Sequence, residues 1–354
     1  MRKMKIGLIF TNFPSNSETF LISKINGLKK YGHQIILFGN GKMDEKYGHL
    51  NPHPNLRKNY FYRLIQVITV LLKLIILNPF RTFKFLKLEK IDNISKINRL
   101  KNLYLNSHII NSNLDWIHFC FCSTVIRREN VAKAIGAKMS LSFRGYDVAI
   151  YPLKHKQCYS KLWNKVDKVH SISNDLLEVA TNLGYDSNIQ SEIIYPAIDT
   201  EYFALNNNIK KIDYDNIKFL TVARLHWKKG LEYSLEALSL LKNNGYNFEY
   251  TIIGDGPELE RLKFATYQLG LEDNINFKGY IEHASIREYY QNSDIYLQYS
   301  IQEGFCNSLL EAQSMGLICI ASDADGLSEN ILDHKTGYIA VSYTHLRAHE
   351  TIDD

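Results

Sequence analysis

The sequence predicts an α/β protein built from two doubly wound parallel-sheet domains. Three observations carry that prediction. The chain has 354 residues, which exceeds one typical domain and suits two of about 150 residues each. Short apolar runs that read as buried strands alternate with segments of helical periodicity, the pattern of successive β-α-β units. Charge divides the chain in two: residues 1–199 hold 29 Lys+Arg against 14 Asp+Glu, a net of +15, while residues 200–354 hold 13 against 23, a net of −10. The basic half argues for an anionic partner, nucleic acid or a membrane surface. A hydrophobic content of 45% with 22% charged residues excludes a disordered chain.

Ile6–Phe10 reads as the first buried strand; at five residues it is too short for a signal-peptide core. Ser15 and Glu18 form a capping box before the apolar series Phe20, Leu21, Ile22, Ile25 and Leu28. Gly32 ends that helix, and Gln34–Phe38 is the second strand. No G-x-G-x-x-G occurs in the first strand-to-helix turn, so a dinucleotide fingerprint is absent. Residues 60–77 form the most hydrophobic stretch, helical, with Arg63, Gln66 and Lys73 on one face and Pro79 beyond its end. Its uninterrupted apolar parts are shorter than the ~20 residues a spanning helix needs. From 51 to 101 there are 11 Lys+Arg against Glu89 and Asp92, a net of +9. This insertion is either an interfacial helix on an anionic leaflet or an ordinary buried helix with solvated lysines.

The strand and helix rhythm then resumes with strands at 115–121, 138–143, 166–171 and 193–195 and helices at 130–135 and 173–183. The strand at 138–143 runs into Arg144-Gly145-Tyr146-Asp147, a polar cluster where open α/β sheets bind ligands. The five cysteines include no C-x-x-C pair, which disfavours disulfides and zinc and fits a reducing compartment. Cys120 and Cys122 are expected two apart on a strand, buried on one face.

A polar run through Asn206–Asn208 reads as the linker. The second domain takes strands at 218–223, 250–253, 275–277, 295–298 and 318–321, with helices at 232–241, 257–270, 285–291 and 308–313. Arg224 and Lys229 stand in a strand-to-helix loop, where two cations beside a helix N-terminus suit a diphosphate. Glu303 and Glu311 are eight residues apart. On one helix they would diverge by about 80° and 12 Å, so sharing a ligand requires Glu303 in a loop, with Asn307 as cap and Glu311 in the first turn.

Taken in order, Arg224-Leu225 with Lys229-Gly230, the turn Gly254-Asp255-Gly256-Pro257-Glu258, and the Glu303 to Glu311 spacing resemble the family 4 retaining glycosyltransferases. Pro14 and Ser17-Glu18-Thr19-Phe20 are similar to the members that build exopolysaccharides such as colanic acid and amylovoran. The resemblance implies a GT-B fold of two facing Rossmann-like domains, an acceptor domain over 1–199 and a nucleotide-sugar donor domain over 200–340. It implies that Arg224 and Lys229 hold the donor diphosphate and that Glu311 meets the ribose. Glu303, with the backbone N–H groups of Phe305 and Cys306, would hold the sugar, within a donor site that includes Asn307, Gly254 and Gly256. Asn12, Ser17, Glu18, Arg144 and Asp147 would line the acceptor and sugar cleft. Arg144 stands where the family has His, so it could meet the acceptor or a phosphate instead. The family uses no separate nucleophile, no cofactor and no metal. Asp323-Ala324-Asp325 accordingly belongs to a loop similar to the family's G-G-x-P-E rather than to a metal site.

The implied partners are a nucleotide sugar donor, a lipid-linked or growing glycan acceptor and an anionic membrane surface, for a bacterial enzyme on the cytoplasmic face of the plasma membrane. A sugar-nucleotide epimerase and a non-catalytic sugar-nucleotide-binding protein are the competing readings. Residues 341–354, beginning Val341-Ser342-Tyr343-Thr344-His345, resemble a translated sequencing adapter, which would make the donor domain truncated. With +9 of the basic half lying in 51–101, a membrane-facing acceptor domain becomes the expectation and nucleic acid the weaker partner.

Overall fold

The computed structural model describes residues 2–13, 19–41, 47, 49–205 and 212–340, Thr19 by its backbone alone. The chain divides into two compact units, Met1–Ile194 and Tyr195–Asp354, slightly ahead of the expected 199/200 boundary. The expected capping box at Ser15 and Glu18, the Asn206–Asn208 linker and the 341–354 tail lie outside the described residues.

In the first unit, β1 (Lys5–Asn12), β2 (Gln34–Asn40), β3 (Leu50–Asn51), β4 (Trp116–Phe119), β5 (Lys138–Phe143), β6 (Lys168–Ser171) and β7 (Ser191–Ile193) make a parallel sheet. Among the described residues its order is β3-β2-β1-β4-β5-β6-β7. Strand order reverses between β1 and β4, so their carboxyl ends flank the natural ligand crevice. α1 (Thr19–Lys30) seats Leu21 and Ile25 against Ile6, Leu8 and Leu37 of the sheet. Cys120 and Cys122 are buried as expected but not on a strand: β4 ends at Phe119, and Cys122 opens a 3₁₀ turn held by the Thr124 N–H to the Phe121 carbonyl, 3.0 Å.

The insertion forms α2 (Tyr60–Leu77), α3 (Pro79–Ile91), α4 (Lys96–Leu105) and α5 (Ser107–Ile110). Asn59 caps α2 through the Phe61 N–H, and Pro79 opens α3 after the single residue Asn78. The buried-helix alternative fails for α2. Leu74 is its one buried residue, while Phe61, Leu64, Ile65, Ile68, Leu72, Ile75, Ile76 and Leu77 are exposed, Ile76 to 74%. The expectation that the stretch is too short to span also needs correction, because by length and composition α2 suffices to cross a bilayer. Of its two charges, Arg63 turns back at the N-terminal end to donate to the carbonyls of Arg57 and Lys58. Both ends of α2 are nevertheless bonded into the same unit. The Asn55 carbonyl accepts from Tyr104 on α4 and from Gln66, and Asn78 donates to Asn111, 2.8 Å.

The rest of the unit comprises α6 (Val131–Ile135), α7 (Tyr151–Lys154) and α8 (Asn174–Thr181), the last capped by Ser173. In the second unit β8 (Ile217–Val222), β9 (Phe248–Ile253), β10 (Ile275–Gly279), β11 (Ile295–Gln298), β12 (Ile318–Ser322) and β13 (Tyr338–Ala340) form a parallel sheet, ordered β10-β9-β8-β11-β12-β13 among the described residues. α9 (Leu231–Asn243), α10 (Leu259–Gln268), α11 (His283–Gln291) and α12 (Asn307–Ser314) cover its faces. Two apolar clusters form the core, one around Phe203, Tyr290, Tyr296 and Leu309, the other around Leu235, Tyr250, Ile252 and Leu262. α10 starts two residues later than expected. The Glu258 N–H is drawn to the Leu225 carbonyl, 3.1 Å, which holds Pro257 and Glu258 in a turn outside the helix.

Candidate functional site

In the second unit the strand order reverses between β8 and β11, and the expected site residues collect at the carboxyl ends of those strands. Arg224 leaves the end of β8. The following 3₁₀ turn, Trp227–Lys229, is stapled to the loop after β11, since the Lys228 carbonyl accepts from the Ile301 N–H, 2.7 Å. That staple brings Lys229 to Glu303, and the two form an ion pair. Glu303 Oε1 also accepts from the Gly304 N–H, 3.3 Å. Burial works against the Lys229 charge, but Glu303 outweighs it and holds the ammonium above its ordinary pKa. Arg224 lies close enough to act electrostatically on Lys229 and Lys228. It is exposed and, among the described residues, in no ion pair.

Gly254 and Gly256 sit where backbone meets backbone. A Cβ on Gly254, whose φ is +138°, would strike the Ala223 carbonyl, and one on Gly256 would strike that of Leu225. Their place in the site is thus explained by packing: they press the β9 loop onto the loop that carries Arg224.

Glu303 lies in a loop, as sharing a ligand with Glu311 requires, but the cap is misassigned. α12 starts at Asn307 itself with extended Cys306 before it, so Glu311 falls in the second turn. The cause is Asn330, whose amide accepts from the Cys306 N–H, 3.0 Å, and donates to the Cys306 carbonyl, 3.2 Å. This clamp fixes the helix start and occupies the Cys306 N–H, which is therefore not available to a sugar. The Phe305 ring stands 5.3 Å from that of Tyr195.

Glu311 is buried, and both carboxylate oxygens are engaged: Oε1 with His283 Nε2 at 2.8 Å, Oε2 accepting from the Tyr290 hydroxyl at 2.9 Å. The bond to Glu311 raises the His283 pKa, with burial opposing it. Sequence reading missed Asn330, His283 and Tyr290. Among the described residues no group of three or more His, Cys, Asp or Glu gathers as a metal site, Asp323 and Asp325 included.

In the first unit Asn12 ends β1 beside Asn40 of β2, and Arg144 follows β5, its guanidinium 3.7 Å from the Phe20 ring centroid. Ser17 and Glu18 lie outside the described residues. Asp147 is buried, with Oδ1 accepting from the Ser123 N–H, 3.1 Å. Burial raises its pKa from 3.8 to about 6, against the pull of Ser123 and Arg144. A carboxyl with a raised native pKa holds its proton while the unfolded chain has lost it, so stability falls as pH rises from about 4 to about 6. Asp147→Asn should abolish that slope, gaining on the wild type by ~2 kcal/mol between pH 4 and 7. Urea melts at the two pH values check this; a difference independent of pH would refute the charged, buried assignment.

Residues 204–354 match the family Glycosyl transferases group 1. Over most of its length the chain is similar to the amylovoran biosynthesis glycosyltransferase AmsK of Erwinia amylovora, at 25% identity over 95% of this chain and 87% of AmsK. It is similar at 23% identity, over 95% of this chain and 86% of the relative, to WcaL of Salmonella typhimurium, named for colanic acid biosynthesis. In fold it is similar to Anabaena HepE, solved in complex with UDP and glucose, with a TM-score of 0.68 at 15% identity over 99% of this chain and 90% of that one. The protein therefore has the GT-B fold, and its residues 204–354 are similar to the glycosyl transferases group 1 family.

Proposed function

We propose that the protein transfers a sugar, with retention of anomeric configuration, from a nucleotide diphosphate sugar to a lipid-linked or growing polysaccharide acceptor. The observation that carries this reading is the Lys229–Glu303 ion pair beside exposed Arg224 at the strand-order reversal of the second unit. The two cations hold the donor diphosphate and offset charge on the leaving group as the glycosidic bond breaks. Glu303 orients the sugar. The leaving phosphate takes the acceptor proton, so neither a metal nor a separate nucleophile is needed. Glu311 accepts hydrogen bonds from the ribose, and Tyr290 and His283 keep its carboxylate aimed. The bound UDP and glucose of HepE and the exopolysaccharide names of AmsK and WcaL support the donor class and the acceptor class respectively.

Hydrogen bonds to a charged group contribute about 1.5–3 kcal/mol each. Glu311→Ala should therefore weaken nucleotide sugar binding about 10- to 100-fold, while Glu311→Gln, which keeps a partner for Tyr290, should preserve the melting temperature. Calorimetric titration with uridine and guanosine diphosphate sugars is the measurement. Unchanged affinity in a folded Glu311→Ala protein would overturn the donor-site assignment.

The same reading places α2 on the membrane as an interfacial helix. The insertion that carries its exposed apolar face also carries the exposed Lys58, Lys73, Lys84 and Lys87. The two acids of the insertion are turned inward: Glu89 is buried against Asn102 and Asn130, and Asp92 pairs with Lys165. The surface basicity is thus undiluted, as an anionic leaflet would require. Because both ends of α2 are bonded into the first unit, lying along the membrane fits better than crossing it.

A further inference from the structure

α1 sets Lys24 against the carboxyl-end half of the first sheet. Its Nζ stands 2.9 Å from His118 Nε2 on β4 and 3.3 Å from Ser142 Oγ on β5. Ser142 Oγ is in turn 3.0 Å from His118 Nε2 and 2.8 Å from His170 Nδ1 on β6. Outer contacts fix both rings: His118 Nδ1 is 2.9 Å from Ser140 Oγ, and His170 Nε2 is 3.2 Å from the Ile194 carbonyl. Lys24, His118 and His170 each keep part of their surface exposed, while Ser142 between them is buried.

The cluster is a poor device for stability alone. An ammonium taken out of water calls for a carboxylate, yet among the described residues Lys24 pairs with none. The charged and titratable groups acting on it are Cys120 after β4 and Arg144 after β5, with His118 at hydrogen-bond distance. Burial lowers Lys24 to about 8 and His170 to about 3, and pushes His118 well below its ordinary value. Every one of these shifts would relax on arrival of an anion. His118, Ser142 and His170 spend their hydrogens on one another and on Ser140 and Ile194, so the donors left for an anion are the third N–H of Lys24 and the nearby Arg144 guanidinium, two cations that a phosphoryl group with its three oxygens can meet together.

We propose that this crevice, formed by Lys24, His118, Ser142 and His170 with Arg144 at its edge, binds a phosphoryl group. Taking that group to be the phosphate of the acceptor rests on the glycosyltransferase reading above; the phosphoryl site itself does not.

The test is calorimetric titration of the full chain with inorganic pyrophosphate and with a short-chain prenyl diphosphate. Wild type, Lys24→Met, His170→Asn and Arg224→Ala are compared, the last reporting on the separate diphosphate site of the second unit. Both crevice variants should lose about tenfold or more in affinity for a site that Arg224→Ala leaves intact. Binding should weaken between pH 7 and 9, by up to tenfold per unit above the Lys24 pKa, with proton uptake seen as a buffer-dependent heat. Prenyl diphosphate binding at least tenfold tighter than pyrophosphate would assign the site to a lipid acceptor, and equal affinities to free phosphate. Binding indifferent to both crevice variants, or lost only in Arg224→Ala, would overturn the proposal. Transfer to a phosphate-free glycan by wild type would meanwhile show the glycosyltransferase reading standing without it.

Discussion

Arg224→Ala and Lys229→Ala should each reduce sugar transfer by about 10²–10³-fold. Removing one preorganised group aimed at a developing negative charge typically costs about 2.7–4 kcal/mol of transition-state stabilisation, and the diphosphate leaving group carries such charge. The two variants should part company in stability. Arg224 is exposed and outside any ion pair among the described residues, so its loss should leave the melting temperature unchanged. Lys229 neutralises Glu303 in a site where both side chains keep only 17% of their exposure. Lys229→Ala strands that carboxylate and should destabilise the second unit by about 1–3 kcal/mol. The double variant should lose less than the product of the two single effects, because both groups serve one charge. Initial rates with the nucleotide sugar that gives the largest thermal shift, run beside melting curves, measure both. Full transfer by a folded Arg224→Ala protein would sink the diphosphate assignment.

How much of this was readable in advance follows the range of the forces involved. β5 and β11 stand at the residues their apolar runs mark, 138–143 and 295–298, because a strand covered on both faces is written locally. The start of α12 is not, because it is fixed by Asn330, 24 residues downstream of the Cys306 it grips. Nor can any local pattern find His283 and Tyr290, which reach Glu311 from α11, 28 and 21 residues away. Loop motifs such as Arg224 with Lys229 and Glu303 with Glu311 are visible as spacing. That Lys229 actually meets Glu303 depends on the staple between the Lys228 carbonyl and Ile301. Lys24, His118 and His170 are scattered along the chain and converge only through a sheet order that sets β4, β5 and β6 side by side.

α2 makes the same point, since its periodicity tells what could be buried but not against what. The exposed residues Leu64, Ile68, Leu72 and Ile75 follow one another by four, four and three positions and so share a face. Burying a Leu or Ile side chain fully stabilises by about 1.5–3 kcal/mol. A helix lying in the interface buries these partly exposed side chains incompletely, so about 1 kcal/mol each is expected. Replacing all four by Ser should then cut partitioning onto anionic vesicles about 10³-fold. About half of each of these side chains is covered by the protein, so the four-Ser variant should also melt at a lower temperature, and vesicle binding is compared at a temperature where it remains folded. Charge reversal of Lys73, Lys84 and Lys87 to Glu should weaken binding to anionic vesicles in a salt-dependent way, at about 1 kcal/mol per basic residue removed, and leave binding to neutral ones little changed. Vesicle flotation at low and high salt separates the two contributions. If the four-Ser variant floats with anionic vesicles as the wild type does, α2 is not the membrane surface of this protein, and its apolar face answers to a protein partner instead.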